Sequence, residues 1–263
     1  MQLEILTRDA EVDAHPIPLL FVHGAWHGAW CWDEHFLPYF AQHGYTSTAL
    51  SLRGHGASEG NKKLRWTSIT DYVNDVSQVA SQFERPPVLI GHSMGCLVVQ
   101  KYLETHKAPA AVLLASVPPS GVIRTTLSIA GRHPLPFLKT NATLSLYHII
   151  GTPELTREAF FSEDIAGEKL TTYYERMQTE SYRAFLDMMV FNLPRPRRVQ
   201  KTPMLVLGGA RDIIFNRKEV EATARAYQTK AEIFADMAHD MMLEDGWNAV
   251  ADRILAWLGE QGL

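Results

Sequence analysis

A serine in a glycine-flanked turn is the strongest chemical signal in this sequence. Ser93 lies at the centre of the Gly-x-Ser-x-Gly stretch 91–95, between the apolar run 88–90 and the apolar-rich stretch 96–103. This pattern predicts a buried strand, a sharp turn and a helix. The glycines relieve crowding around a strained apical residue, and a helix N-terminus favours developing negative charge. Ser93 is therefore predicted to be a nucleophile with an exposed hydroxyl.

A nucleophilic serine needs a base that accepts its proton and an acid that orients the base. In a parallel sheet, functional residues gather at the carboxyl ends of the strands. This rule selects Asp212, just beyond a strand predicted at 204–207, and His239, just beyond a strand predicted at 232–234. The chain order serine, aspartate, histidine is one that such sites use. We expect Ser93, Asp212 and His239 to form a catalytic triad.

Other carboxylates and histidines are weaker candidates for these roles. Asp240 adjoins His239, but neighbouring side chains usually point apart, and Asp236 is expected to act only through another residue. The stretch 116–119, where an acid could also stand, holds no carboxylate. His92 is expected to be buried and hydrogen-bonded. Three further histidines are expected to shape loops or line a pocket: His23, His27 and His55.

The oxyanion formed when a serine attacks a carbonyl carbon needs two backbone N–H donors. Met94 N–H, at the start of the predicted helix, is the first candidate. The second is expected from the glycine-rich turn 23–26, which follows the apolar run 18–22. We assign it to Ala25 N–H, with Trp26 N–H as the alternative.

The elements that must position these residues alternate between strand and helix along the chain. This alternation predicts an α/β fold, with a mostly parallel sheet of about eight strands and helices on both faces. Residues 3–7 are predicted to form an edge strand with 10–14 as a hairpin partner, and residues 32–43 a single helix. The remaining strands are predicted from apolar runs at 18–22, 45–52, 88–90, 110–115, 204–207 and 232–234.

The alternation is interrupted by a long stretch in which only helices are predicted. About 80 residues without a strand is too long for a simple crossover. We expect a core of residues 1–117 and 195–263, and a helical insertion of residues 118–194 that includes the crossover helix and caps Ser93. The candidates for the lining of an apolar pocket are Phe160, Phe161, Met188 and Met241.

Composition excludes several other classes of protein. A net charge of −4, with one short basic cluster at 195–198, gives no basic face for nucleic acid. No apolar run reaches the ~20 residues of a membrane span. The N-terminal residues lack the apolar centre of a signal peptide, so a cytoplasmic location is expected. Cys31 and Cys96 do not make a disulfide framework. Both a monomer and a dimer stay open.

Taken together, these motifs resemble those of the α/β-hydrolase superfamily over essentially the whole chain. The stretch 23–32 is also similar to the plant esterase and hydroxynitrile lyase branch, and the rest to small capped bacterial esterases and lysophospholipase-like hydrolases. The resemblance implies hydrolysis of a small-molecule carboxylic ester or related acyl bond, without a cofactor or metal. The apolar residues of the predicted cap indicate an uncharged or aliphatic acyl group of short to medium length. The resemblance is carried by His23-Gly24, Gly54-His55-Gly56-x-Ser58, Gly91-x-Ser93-x-Gly95, Asp212 and His239.

Four alternatives on the same scaffold stay open. Thioester hydrolysis and carbon–carbon bond hydrolysis use the same three residues. A hydroxynitrile lyase would need a lysine near the serine, and a ligand receptor would keep the scaffold without turnover. Dehalogenases and epoxide hydrolases are disfavoured, because they carry aspartate where this chain has Ser93. The lysine candidates are Lys139, Lys169 and Lys201.

Overall fold

A seven-stranded sheet in the order β1-β3-β2-β4-β5-β6-β7 runs through the molecule. The computed structural model describes all residues from 1 to 263. Every neighbouring pair of strands is parallel except β1 and β3, which are antiparallel. This confirms the predicted α/β architecture. The strands are β1 Ile5–Arg8, β2 Leu19–Val22, β3 Ser47–Leu50, β4 Val88–His92, β5 Ala111–Leu114, β6 Met204–Gly209 and β7 Ala231–Phe234.

Eleven α-helices surround the sheet or lie between β5 and β6. No helix combines the length and apolarity that a bilayer crossing requires. Short 3₁₀ turns at 61–66, 146–149 and 196–198 and a π-helical turn at 187–191 complete the regular structure. The helices are α1 Trp30–Asp33, α2 Phe36–Gln42, α3 Ile69–Ala80, α4 Met94–Tyr102, α5 Ile123–Arg132, α6 Pro134–Thr143, α7 Pro153–Phe160, α8 Gly167–Arg176, α9 Tyr182–Leu186, α10 Arg217–Ala226 and α11 Trp247–Glu260.

Two hydrophobic clusters cover the two faces of the sheet. Because side chains alternate along a strand, Val88 and Ile90 of β4 belong to one cluster and Leu89 belongs to the other. Helices α1, α2 and α11 contribute to the first cluster, and α3, α4 and α10 to the second. The central strands are therefore buried on both sides, as their continuous apolar runs predict.

The sheet has one strand fewer than predicted, because residues 10–14 do not pair with β1. Instead, Glu11 N–H donates to the Ala41 carbonyl and His15 N–H to the Gly44 carbonyl. These bonds hold the segment as a loop against the end of α2.

The helix predicted at 32–43 is two helices, α1 and α2. The second begins at Phe36, which places Pro38 in its first turn. In the first turn an N–H has no intrahelical acceptor, so proline forfeits no hydrogen bond there. Inside a continuous helix its ring would clash with the preceding turn. The break therefore follows from Pro38.

Between β5 and β6 the chain forms helices and short helical turns and no strand. The linker 177–181, between α8 and α9, connects this helical stretch to the loops after β2 and β3. Gln178 N–H donates to the Trp26 carbonyl at 3.0 Å, and its side chain bonds Gly54 O at 2.7 Å and Gly56 N–H at 2.8 Å. The linker thus contacts both glycine-rich loops that follow β2 and β3.

Candidate active site

Ser93 occupies a strained turn between β4 and α4. Its φ of 52° and ψ of −117° lie in a region that residues with a side chain rarely adopt. A Cβ at Gly91 would lie 2.8 Å from Cys96 N, and one at Gly95 would collide with the Val22 carbonyl. Both flanking positions therefore need glycine. The Ser93 side chain lies at the carboxyl ends of the strands. The residue is nevertheless only 8% exposed, which is less than the sequence predicts.

Asp212 and His239 meet at the same sheet edge, beyond β6 and β7. His239 Nδ1–H donates to Asp212 Oδ2 at 2.8 Å, and both side chains are buried. The other carboxylate oxygen, Oδ1, accepts from Ile214 N–H at 2.7 Å and Phe215 N–H at 3.0 Å. The carboxylate is thereby fixed, and the proton on Nδ1 leaves Nε2 as the free nitrogen of His239.

No hydrogen bond joins the Ser93 hydroxyl to His239, whose one side-chain partner is Asp212. Such a contact is often long before a substrate binds. The structure therefore brings the predicted acid and base into contact and places the predicted nucleophile at the same edge.

The turn after β2 packs directly against the serine. A Cβ added at Gly24 would lie 3.0 Å from Ser93 Cβ, so this turn too depends on glycine. Neither Ala25 N–H nor Trp26 N–H donates to a protein acceptor. Trp26 has a φ of 67°, which turns the chain sharply there. Met94 is the first residue of α4, where an N–H has no intrahelical acceptor. All three candidate oxyanion donors are thus unpaired.

A second aspartate–histidine pair lies beside the first. His27 Nε2 is 2.9 Å from Asp240 Oδ2, and His27 Nδ1 is 2.7 Å from the Ala25 carbonyl oxygen. Because both ring nitrogens face acceptors, the imidazole carries two protons and Asp240 is ionised. Burial opposes both charges, but their mutual attraction raises the pKa of His27 and lowers the pKa of Asp240.

His92 differs from His27 although both are buried at this edge. Its Nε2–H donates to the His239 carbonyl at 3.0 Å, and its Nδ1 has no partner. Burial, reinforced by the neighbouring His239, lowers the pKa of His92 to about 3. His92 is therefore neutral, and it supports the backbone of His239.

Potential metal ligands occur in one buried group, His92, His239 and Asp240, with donor atoms within 4.8 Å of one another. Their chemistry does not fit a metal. His239 Nδ1 is bonded to Asp212 and His92 Nε2 to a carbonyl oxygen, and the His27 imidazolium adds a positive charge beside Asp240. A cation there would have to displace these contacts.

A narrow cavity of about 60 Å³ borders the candidate oxyanion turn. Of the four predicted pocket residues, Met188 lines this cavity, and Phe160 lines a smaller neighbouring one of about 20 Å³. Phe161 and Met241 lie in the hydrophobic core and line neither. The larger cavity is lined by Ala25, Trp26, Thr126, Ile129, Phe137, Thr140, Leu146, Ile149, Glu180, Phe185 and Met188.

Glu180, in the linker 177–181, is a buried carboxylate that the sequence did not single out. It accepts hydrogen bonds from His55 Nε2 at 3.1 Å, from the Tyr72 hydroxyl at 2.6 Å and from Ser181 N–H. Burial opposes its charge, but these donors keep the pKa of Glu180 below its ordinary value. No local pattern reveals it, because its partners lie 108 and 125 residues away along the chain.

The remaining candidates lie at the surface. Asp236 bonds Arg211, and its side chain is largely exposed. Lys169 pairs with Asp245 at the surface, and Lys139 and Lys201 are exposed. None of the three lysines therefore lies at the buried site around Ser93.

Comparison with known proteins places the chain in a family. Residues 19–253 match the model of the alpha/beta hydrolase family. The methylesterase MES16 of Arabidopsis thaliana, which acts on pFDCC, is 27% identical over 212 residues, covering 76% of this chain and 78% of that protein. A non-heme chloroperoxidase of Streptomyces lividans is 35% identical over 107 residues, covering 39% of this chain and only 38% of that protein.

Solved structures share the fold at low identity. An esterase from Exiguobacterium antarcticum superposes with a TM-score of 0.76 at 16% identity, covering 98% of this chain and 96% of the other. The enol-lactonase of Burkholderia xenovorans gives a TM-score of 0.71 at 15% identity, covering 98% and 97%. Since the family model spans most of the chain and these folds agree with it, this protein belongs to the alpha/beta hydrolase family.

Proposed function

We propose that this protein is a serine hydrolase that cleaves carboxylic esters through an acyl-enzyme on Ser93. One observation carries the proposal: the Asp212–His239 hydrogen bond lies at the sheet edge where Ser93 occupies a strained turn. A histidine held by a carboxylate, with its other nitrogen free, is the base that such a serine requires.

In the proposed reaction His239 Nε2 takes the proton of Ser93 as the hydroxyl oxygen attacks the ester carbonyl. The amides of Met94 and Ala25, with Trp26 as the alternative, bind the oxyanion. The protonated His239, stabilised by Asp212, then protonates the departing alcohol. A water molecule activated by His239 hydrolyses the acyl-enzyme and releases the acid.

The names of relatives agree with this reaction class. MES16 is a methylesterase, and a methyl jasmonate esterase of Vitis vinifera is 31% identical over 104 residues, covering 38% of this chain and 39% of that protein. Other family members have different names, such as the chloroperoxidase. We therefore extend to this chain only the cleavage of a carboxylic ester.

We further propose that the helical insertion, residues 118–194, caps the core formed by residues 1–117 and 195–263. Its residues line much of the cavity beside Ala25, and the mainly apolar lining favours an ester with a small, uncharged apolar group. The candidate lysines Lys139, Lys169 and Lys201 are all exposed, so none of them offers a cationic group near Ser93 for lyase chemistry. Thioester hydrolysis is the second candidate, because it needs the same three residues.

The test is Ser93→Ala, assayed on p-nitrophenyl acetate and butyrate. We expect kcat to fall by at least about 10⁴-fold, because the nucleophile is lost while the scaffold stays intact. Ser81→Ala, at an exposed serine, is the matched control and should keep full activity. Turnover that survives in folded Ser93→Ala would refute the proposal. A wild-type protein that binds esters without turnover, and that no fluorophosphonate labels at Ser93, would be a receptor.

A further inference from the structure

We infer that Trp26 is a fixed wall between two apolar cavities and sets the longest acyl chain that the site accepts. The inference rests on the proposed function and names the class of ester: one whose acyl chain ends at the Trp26 indole. Three observations carry it: the residues that the two cavities share, the way in which Trp26 is held, and the volume on each side of the indole.

The first observation is that the two cavities of the candidate site have a common boundary. The cavity of about 60 Å³ beside Ala25 and the smaller one of about 20 Å³ beside Phe160 share three lining residues. These residues, Trp26, Ile129 and Ile149, therefore lie between the cavities. All three are apolar, so a hydrocarbon chain can lie against this boundary. Trp26 also packs against both hydrophobic clusters of the molecule.

The second observation is that Trp26 is held from several sides. Its Nε1–H donates to the Leu146 carbonyl oxygen at 3.3 Å, and its ring centroid lies 5.6 Å from that of Phe160. Its carbonyl oxygen accepts from Gln178 N–H at 3.0 Å. An indole held in this way keeps its direction when a substrate enters, so it acts as a wall rather than as a gate.

The backbone of Trp26 makes a large side chain at this position unexpected. Its φ of 67° lies in the left-handed region, which glycine adopts without the steric cost that a Cβ brings. Residues in such strained conformations cluster at functional sites, where the surrounding structure holds them in place. The strain therefore supports a role for the indole beyond filling space.

The third observation is the unequal volume on the two sides of the indole. A single water needs about 10–15 Å³ by this measure, so the larger cavity takes about four to six groups of that size and the smaller one about one or two. The aromatic alcohol of a p-nitrophenyl ester is too large for either cavity, so the acyl chain is the part that enters. A chain bound beside Ala25 therefore meets Trp26 after about four to six carbons. Without the indole the two cavities would join, and the chain could continue toward Phe160.

The test is Trp26→Ala, assayed on p-nitrophenyl esters from acetate to decanoate at concentrations where each ester is dissolved as monomers. In the wild type we expect kcat/KM to decrease once the chain exceeds the larger cavity. Trp26→Ala should raise the ratio of kcat/KM for decanoate to that for butyrate at least about 10-fold, the worth of two buried methylene groups. Trp26→Phe keeps a ring in the wall and removes only the N–H donor, so its ratio should stay close to that of the wild type.

Further variants keep the test decisive if Trp26→Ala does not fold. Ile129→Ala and Ile149→Ala thin the same boundary, and each should raise the decanoate-to-butyrate ratio by a smaller factor. Trp66→Ala is the matched control, because that indole is 62% exposed and lines neither cavity, and its ratio should equal that of the wild type. An unchanged ratio in every wall variant that folds, or an equal rise in Trp26→Phe or Trp66→Ala, would overturn the inference.

A binding measurement separates this inference from the proposed function. Linear 2-alkanones from butanone to 2-undecanone carry similar chains without an ester bond, and saturation-transfer NMR detects which of them bind to the full chain. The longest ketone that binds should be longer for Trp26→Ala than for the wild type. If no ester is hydrolysed at all, the proposed function fails and the ketones alone decide. The same longest ketone for both proteins would then refute the role of Trp26 as a wall.

Discussion

Two aspartate–histidine pairs lie side by side at the carboxyl ends of the strands, and they differ in what the second ring nitrogen of each histidine meets. The Asp212–His239 and Asp240–His27 hydrogen bonds measure 2.8 and 2.9 Å, and all four side chains are buried. The remaining nitrogen of His239 has no protein partner, whereas that of His27 faces the Ala25 carbonyl oxygen. The first imidazole can therefore accept a proton, and the second holds both of its protons in place.

The difference shows that the partner of the second nitrogen separates a candidate base from a structural ion pair. The His27–Asp240 pair connects the residue after the proposed base to the peptide between Ala25 and Trp26. It thus joins the two loops that meet at Ser93. We expect the first pair to control the rate of reaction and the second to control stability.

The largest effect is expected from Asp212→Asn. An asparagine keeps the shape but favours the wrong tautomer of His239, and such a change typically lowers kcat by about 10⁴-fold. Steady-state kinetics on p-nitrophenyl butyrate measures it, with thermal unfolding to verify that the variant is folded. A kcat within 10-fold of the wild type would show that Asp212 does not act as the acid.

A smaller effect, on stability rather than on the rate of reaction, is expected from Asp240→Asn. It leaves the His27 imidazolium buried without a counter-charge, and breaking a buried pair typically costs about 3–5 kcal/mol in the free energy of unfolding. Urea unfolding measures this loss, and kcat per folded molecule should fall less than 10-fold. Asp236→Asn is the matched control, because that carboxylate is exposed and should change neither quantity appreciably. A large fall in kcat with unchanged stability would reverse the roles that we give to the two pairs.

The smallest effect concerns pH. We expect the difference in the free energy of unfolding between the wild type and Asp240→Asn to depend on pH. The raised pKa of His27 contributes stability that is complete below the unfolded value of about 6.5 and is lost as the pH rises through the folded value. The lowered pKa of Asp240 contributes stability that is present above about 3.9 and is lost as the pH falls through the folded value. The difference should therefore be largest between about pH 4 and 6.5 and decrease on both sides.

Urea unfolding of both proteins from pH 3 to 9 tests this shape, and a difference that stays flat up to pH 9 would contradict it. His92 and His239 also face Asp240, and both are present in the two proteins compared. The other ionisable groups that act on this pair are Cys31, Glu180 and Glu244.

Local signals in the sequence predict the fold and the proposed triad, because each residue stands where an apolar strand ends. The positions of β6 and β7 are enough to assign Asp212 and His239 to the carboxyl ends of the strands. Adjacency also predicts that Asp240 does not bond the ring of His239. The actual partner of Asp240 is not predictable, because His27 lies 213 residues away along the chain. Contacts of this kind depend on packing, which no periodicity reveals.

The same limit applies to the wall of the cavity. The apolar character of Met188 is visible in the sequence, but the sequence does not reveal that Met188 lines the cavity while Phe161 and Met241 pack into the core. The break between α1 and α2 is more predictable than these contacts, because Pro38 is visible in the sequence.

The pairing of β5 with β6 has a consequence for how this protein can change over evolution. The ladder aligns Ala111 with Met204, so the stretch between β5 and β6, which contains the proposed helical insertion, is a loop of about 90 residues closed by two central strands. The entropy of closing a loop grows only with the logarithm of its length, and halving or doubling it alters the free energy by about 0.6 kcal/mol. Loop closure therefore sets little limit on the length of the helices in this stretch. Their outward-facing residues can change over evolution, and with them the selectivity of the proposed site, while the residues at the ends of the strands stay the same.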